Sequence, residues 1–84
     1  MILGKVIGNL TSTRKQENLK GFKFLIIQPR AADGEAASLL VAIDLFGAGP
    51  GEEVLVSTGR AARLAAGRED LPVDAAVVGI VDPG

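Results

Sequence analysis

Cysteine, histidine, tryptophan and tyrosine are all missing from this chain of 84 residues. Without cysteine there can be no disulfide and no thiolate chemistry, and nothing points to an oxidising compartment. Without histidine the chain lacks the side chain that most often serves as a general base or a metal ligand. Three phenylalanines are the only aromatic residues, so there is little on which nucleic-acid bases could stack.

The chain also has no large excess of positive or negative charge and no long apolar run. The net charge is −1 and the pI is about 5.2, which is not the basic footprint of a nucleic-acid binder. No apolar run exceeds five residues (39–43), whereas a membrane span needs about 20. Residues 1–5 lack the layout of a secretory signal. We therefore expect a soluble cytoplasmic protein.

Aliphatic residues are abundant, and their spacing predicts strands over residues 1–11, 22–29, 39–44, 53–57 and 75–81. After the fourth strand Thr58 is a plausible N-cap, Ala61, Leu64 and Ala65 share one side of a helix, and Gly67 is the expected stop. The sequence thus predicts one mainly β domain over residues 1–84. Its nearest common architecture is a small, five-stranded, OB-like barrel, partly open, with one short α-helix between strands 4 and 5.

Two polar segments are expected to be loops. Residues 12–21 are either a solvated hairpin connection or a basic edge that faces a partner, and both readings stay open. Residues 30–38 contain an Asp33-Gly34 turn signal.

A glycine-rich loop joins the third and fourth strands and is made of Gly47, Ala48, Gly49, Pro50, Gly51 and Glu52. Glycine reaches positive φ without a steric penalty and Pro50 fixes its own φ, so the loop should be shaped rather than floppy. Its G-x-G-x-G spacing does not match the dinucleotide fingerprint, and Glu52 and Glu53 would repel a phosphate. We predict that the loop serves self-assembly, at a subunit contact or a pore rim.

Several strands carry apolar side chains on both faces, whereas a sheet with one wet face should alternate apolar and polar residues. Leaving about 400 Å² of aliphatic surface in water forgoes about 10 kcal/mol, which is comparable with the whole stability of a small domain. The least costly cover for a chain this small is another copy of itself. The pattern therefore predicts a homo-oligomer.

Groups for catalysis are not found in any recognisable spacing. The carboxylates lack motif spacing, and Asp44 and Asp74 are expected to accept backbone N–H bonds in turns. Ser57 has no histidine to activate it. Arg63 either is solvated or reaches an adjacent subunit. We expect no catalysis, no cofactor and no metal site.

Taken together, these stretches resemble the EutN/CcmL family, the pentameric vertex proteins of bacterial microcompartment shells. The resemblance covers nearly the whole chain and rests on GKVIG at residues 4–8, LIIQP at 25–29, VAID at 41–44, GAGPGE at 47–52 and PVDAAVVGIVD at 72–82. It implies a β-barrel subunit that forms a homopentamer and caps the fivefold corners of a shell of hexameric and trimeric proteins, as in carboxysomes and metabolosomes.

One departure from the family pattern is visible before the helix. The family usually reads Gly-Ser-Ser-Ala-Arg, whereas this chain reads Gly59-Arg60-Ala61-Ala62-Arg63. Any contact through the two serine hydroxyls is absent and Arg60 adds a charge, which affects local contacts with ligands or shell tiles and not the ring. Arg60 and Arg63 are candidate assembly residues together with the loop. Two alternatives remain: an OB-type module for single-stranded nucleic acid, and a regulatory subunit that binds an acidic metabolite near Arg60 and Arg63.

Overall fold

The computed structural model describes residues 1–12, 14–31 and 37–82. Within them lie strands β1 (Ile2–Leu10), β2 (Lys23–Pro29), β3 (Leu40–Asp44), β4 (Glu53–Thr58) and β5 (Ala75–Val81), with one α-helix, α1 (Arg60–Ala65). A single 3-10 turn, Glu17–Leu19, interrupts the first loop. All five strands predicted from the sequence are confirmed to within about a residue at each end. The Asp33-Gly34 turn lies outside the described residues.

The strands form a closed barrel in the order β1-β2-β3-β5-β4. Every neighbouring pair is antiparallel except β3 and β5, which run parallel and pair at only two positions, Ile43 with Ala76 and Asp44 with Val77. The mainly β class and the helix between the fourth and fifth strands are confirmed. The expected partial opening is wrong, because β1 is long enough to pair with both β2 and β4 and so closes the barrel.

Two features let β1 curve around the barrel. At Gly4 the strand approaches β2 so closely that a Cβ atom would lie 2.6 Å from the Cγ2 atom of Ile27. Between Val6 and Gly8 the pairing with β2 shifts by one residue, which is a β-bulge. The bulge moves Leu10 off the buried face of Val6, where simple alternation placed it, and leaves its side chain exposed.

The core is divided between the inside of the barrel and a smaller cluster under the helix. Side chains from all five strands fill the interior, and the largest of them are Val6, Leu25, Ile27, Val54, Val56 and Val77. On the outside, Ile43, Ala62 and Ala76 form a second buried cluster to which Phe22 and Phe24 contribute. The helix therefore covers only part of the outer surface, over β5 and beside its neighbours β3 and β4.

The start and the buried side of the helix differ from the prediction. Thr58 is the last residue of β4, paired with Ala75, and Gly59 is the N-cap with φ 61° and ψ −139°. The N–H group of Gly59 donates to the carbonyl of Asp74 (2.8 Å), which fixes a turn that only glycine adopts easily. Ala62 is buried rather than Ala61, Leu64 or Ala65. Gly67 ends the helix with positive φ, as predicted.

Candidate assembly site

The glycine loop begins at a carboxylate that organises its first turn. The Oδ1 atom of Asp44 accepts hydrogen bonds from the N–H groups of Phe46 (3.0 Å), Gly47 (3.0 Å) and Ala48 (3.3 Å). This confirms the expectation that Asp44 accepts backbone bonds in a turn. For Asp74 the described contact is made instead by its backbone carbonyl, which accepts a hydrogen bond from the N–H group of Gly59. The turn leaves the ring of Phe46 58% exposed at the surface.

A second carboxylate closes the other half of the loop. The Oε1 atom of Glu52 accepts a hydrogen bond from the N–H group of Gly49, with an N–O distance of 2.7 Å. The loop is also bonded to the middle of β1, since Gly51 donates to the carbonyl of Val6 (2.8 Å) and Val6 donates to the carbonyl of Glu52 (2.9 Å). Ala48 is buried in the barrel core. The loop is therefore held at both ends and in the middle, and its shape is set within one subunit.

The same bonds argue against a phosphate cradle. Such a site needs several backbone N–H groups that point at the ligand. In this loop the N–H groups of Gly47, Ala48 and Gly49 already bind carboxylates of the chain itself. A phosphate would have to displace Asp44 and Glu52 and then withstand their negative charge.

Arg60 and Arg63 lie on α1, and both bind groups of their own chain. Arg60 forms an exposed ion pair with Glu69, with an N–O distance of 2.7 Å. Arg63 donates from Nη1 to the carbonyl of Val73 (3.2 Å) and so joins the helix to the segment that leads into β5. Neither expectation for Arg63, solvation or contact with an adjacent subunit, included this hydrogen bond within the subunit. Because both cations are engaged, the structure offers little support for an acidic metabolite at this position.

The predicted site residues thus fall into two groups. Gly47, Ala48, Gly49, Pro50, Gly51 and Glu52 form one bonded loop, whereas Arg60 and Arg63 belong to the helix. Within the described part of the chain, no hydrogen bond or ion pair joins the two groups. The sequence analysis did not single out Phe46, whose exposed side chain lies directly before the glycine loop.

Large apolar side chains remain exposed on the outer surface of the barrel. Besides Phe46 they are Met1, Ile7, Leu10, Leu39, Val41, Leu55 and Leu64. Strand pairing places Val41 beside Ile26, on the outside of β2 and β3, and Leu55 beside Leu3, on the outside of β4 and β1. Two separate sides of one small barrel are therefore apolar, and α1 covers neither of these positions.

Among residues 1–12, 14–31 and 37–82, no group of three or more acidic side chains is placed to hold a metal ion. In the same residues no helix is long and apolar enough to cross a membrane.

Comparison with known proteins decides the family. A family model described as ethanolamine utilisation protein EutN/carboxysome matches residues 1–82. The chain belongs to the EutN/CcmL family. The resemblance seen in the sequence motifs is thereby confirmed.

Individual members of the EutN/CcmL family are similar along nearly their whole length. The bacterial microcompartment shell vertex protein GrpN of Rhodospirillum rubrum is 48% identical over 86 residues, which cover 98% of this chain and 93% of GrpN. The carboxysome shell vertex protein CcmL of Thermosynechococcus vestitus is 48% identical over 83 residues, covering 98% and 84%.

Solved structures agree. An ethanolamine utilization protein EutN superposes with a TM-score of 0.90 at 39% identity and covers 100% of this chain and 88% of its own. The solved structure of GrpN, described as a pentameric microcompartment shell protein, gives a TM-score of 0.82 at 45% identity and covers 99% and 94%. These EutN/CcmL relatives are thus similar to this chain in both sequence and fold.

Proposed function

We propose that this protein is a structural subunit of a bacterial microcompartment shell, and that five copies form a ring which caps a fivefold vertex. The observation that carries the proposal is the match of residues 1–82 to the EutN/CcmL family. Relatives at 48% identity are shell vertex proteins, and one solved relative is a pentamer. The apolar outer surface of the barrel supports the same role, because a ring of copies would cover it.

In this proposal the protein has a structural role and catalyses no reaction. The two carboxylates that flank or belong to the glycine loop, Asp44 and Glu52, accept hydrogen bonds from backbone N–H groups. Both therefore hold the shape of the loop. The ring would adjoin hexameric or trimeric shell proteins. We assign residues 47–52, with Arg60 and Arg63, to subunit contacts or to the rim of the ring. An OB-type nucleic-acid module is not favoured, because Phe22 and Phe24 pack against the outer cluster and Phe46 alone remains largely exposed.

Native mass spectrometry of the purified chain tests the ring. The expected result is a dominant species of five subunits at micromolar protomer concentration. A dominant monomer, or a ring of another size, would overturn the proposal. A labelled oligonucleotide titrated at low and high salt is the companion measurement, and we expect no salt-dependent binding.

A further inference from the structure

We infer that each subunit carries a binding site for a small phosphate monoester, in a hollow between the end of β1 and the start of β2. The hollow is named here the lysine hollow, and its lining includes Lys15, Lys23, Leu10 and Phe24. All of these residues belong to one subunit. The inference therefore goes beyond the proposed function and does not depend on it.

Lys15 is a half-buried cation that has no carboxylate partner in the described part of the chain. Its Nζ atom donates a hydrogen bond to the carbonyl of Ser12, with an N–O distance of 2.6 Å. That carbonyl is neutral and engages only one of the three N–H donors of the ammonium group. Holding a cation partly out of water without a counter-charge is unfavourable, so a bound anion would offset this cost. The bond to Ser12 also fixes the ammonium group before any ligand arrives.

Lys23 supplies a second positive charge from the first residue of β2. Its side chain is exposed, and within residues 1–12, 14–31 and 37–82 it forms no ion pair. Two ammonium groups therefore border one hollow, and both retain donors for a ligand.

The carboxylates near the lysine hollow are engaged elsewhere. Asp44 lies opposite Lys23 across β2 and β3. Its Oδ1 atom, however, accepts three backbone N–H groups and its Oδ2 atom is buried. Glu17, the only carboxylate among residues 1–31, forms an ion pair with Lys20 at 2.8 Å. None of the described residues that line the hollow is acidic.

The remaining wall of the hollow is apolar. Leu10 and Phe24 are partners across β1 and β2, and both border the hollow. The side chain of Leu10 is 43% exposed there, and that of Phe24 is half-buried. A ligand with a carbon body beside its anionic group would cover this apolar surface. The volume of about 240 Å³ lies below the range of about 300–1,000 Å³ that is typical of sites for drug-sized molecules, so the ligand should be small.

The set of donors favours phosphate over carboxylate. Lysine binds phosphate as a point charge, whereas the planar carboxylate is best matched by the fork of an arginine, and no arginine is among the described lining residues. A phosphate monoester carries about −1.5 to −2 charges at pH 7, which two ammonium groups neutralise. Asn9 and Thr11, which also line the hollow, can donate further hydrogen bonds.

Calorimetric titration of the purified full chain with phenyl phosphate tests the site. At an ionic strength of about 0.15 M, where distant charges are screened, we expect saturable binding with a dissociation constant in the millimolar range. Amide chemical shifts in residues 9–12 and 22–24 should change along the same titration curve. Phenol, which lacks the phosphate, should not bind. If phenol binds as tightly as phenyl phosphate, the charges play no part and the inference is wrong.

Inorganic phosphate, titrated separately, distinguishes the ester from the free anion. It leaves the apolar wall uncovered, so it should bind at least about threefold more weakly than phenyl phosphate. Equal affinities would show that the hollow recognises phosphate alone, which would overturn the assignment of a monoester.

Two substitutions test the lysines. Lys15→Gln and Lys23→Gln should each raise the dissociation constant for phenyl phosphate about tenfold, because each removes a charge-assisted hydrogen bond. Lys20→Gln is the matched control, since Lys20 belongs to the same loop but is paired with Glu17 and does not line the hollow. It should change the dissociation constant by less than about twofold. Equal effects of all three substitutions would indicate general attraction to a basic surface and would overturn the inference.

The test does not depend on a single variant. If Lys15→Gln disturbs the first loop through loss of its bond to Ser12, Lys23→Gln still tests the site from an exposed position on β2. A wild-type protein whose amide shifts in residues 9–24 do not respond to phenyl phosphate at tens of millimolar would overturn the inference outright.

The outcomes also separate this inference from the proposed function. A pentameric wild type that binds no phenyl phosphate leaves the proposed function standing and removes the lysine hollow as a site. A wild type that binds phenyl phosphate through Lys15 and Lys23 but is not pentameric retains the site and removes the proposed function.

Discussion

At Gly4 the backbone of β1 lies so close to β2 that no side chain fits. An added Cβ would be 2.6 Å from the Cγ2 atom of Ile27, 3.0 Å from the carbonyl oxygen of Gln28 and 3.3 Å from the Cα atom of Pro29. Two of these three neighbours are backbone atoms and cannot rotate away. Gly8, in the same strand, would place a Cβ 3.7 Å from the Cδ1 atom of Ile26, which is an ordinary contact.

Gly4→Ala should therefore lower the free energy of unfolding by about 1–3 kcal/mol, the usual cost of overpacking. Gly8→Ala should change it by less than about 0.5 kcal/mol. Denaturant unfolding followed by circular dichroism, at one fixed protomer concentration, measures both, because assembly makes stability depend on concentration. Equal effects of the two substitutions would contradict the close approach of β1 to β2.

Asp44 is the other single residue on which local structure depends. Its Oδ1 atom holds three N–H groups of the loop, while its Oδ2 atom is buried with no hydrogen-bond partner among the described residues. Asp44→Ala removes the acceptor and should lower the free energy of unfolding by about 1–3 kcal/mol. Asp44→Asn retains an oxygen acceptor of the same reach, so its loss should be smaller. An asparagine variant as unstable as the alanine variant would show that the negative charge matters more than the geometry.

At the scale of elements, the glycine loop combines a fixed shape with a solvent-facing outer side. Gly49 adopts an ordinary φ, and a Cβ there would lie 3.7 Å from the Oε1 atom of Glu52. The first atom of a side chain at this position therefore has room within one subunit. If the loop lies at a subunit contact, as we propose, the added bulk would extend into a neighbouring copy.

Gly49→Leu should accordingly preserve the circular dichroism spectrum of the subunit and weaken the ring by about tenfold or more. Gly49→Ala is the control, and it should assemble like the wild type. Sedimentation velocity over a dilution series measures the change. A leucine variant that remains pentameric at every concentration would place the loop away from the contacts.

Much of the architecture could be predicted from the sequence, and the reasons are local. The strands are runs of Val, Ile and Leu bounded by polar or glycine residues, and Asp44 stands where a strand ends and a turn must be capped. The helix was harder, since three of its six residues are alanine and its buried side depends on where it starts. Thr58 has the chemistry of a cap, but its backbone is still paired with Ala75 in the sheet.

Contacts between distant residues could not be predicted in this way. Arg63 binds a carbonyl ten residues away, and the bulge in β1 follows from how that strand must bend to meet two partners. Of the candidate site, the coherence of the 47–52 loop follows from its composition, whereas the engagement of Arg60 by Glu69 needs the fold. The exposure of Val41 and Leu55 likewise needs the strand register.

At the scale of the whole molecule, charged side chains on the outside of the barrel should govern how quickly subunits meet. Opposite charges on two approaching surfaces raise the association rate, and salt screens them over a distance of about 10 Å at 0.1 M. The apolar contacts that hold the assembled ring are much less sensitive to salt. Rate and stability should therefore respond differently to ionic strength.

We expect reassembly from diluted monomers to slow by about tenfold between about 50 mM and 500 mM NaCl, while the final pentamer fraction changes little. Lys23→Gln should reduce this salt dependence, because it removes one of the two lysines, Lys15 and Lys23, that line a hollow beside Phe24. Arg68→Gln is the control, since Arg68 is already paired with Asp70. Light scattering after rapid concentration measures the rates. A rate independent of salt in the wild type would count against electrostatic steering.

Residues 1–31 hold six of the nine lysines and arginines, and residues 37–82 hold seven of the ten carboxylates. This uneven placement gives each subunit an electric dipole moment. In a ring with fivefold symmetry the components of five such moments perpendicular to the axis cancel, whatever their individual size. Only the component along the axis adds up. A closed pentamer would thus have no net dipole moment perpendicular to its axis, while any polarity it retains would distinguish the two sides of the shell wall.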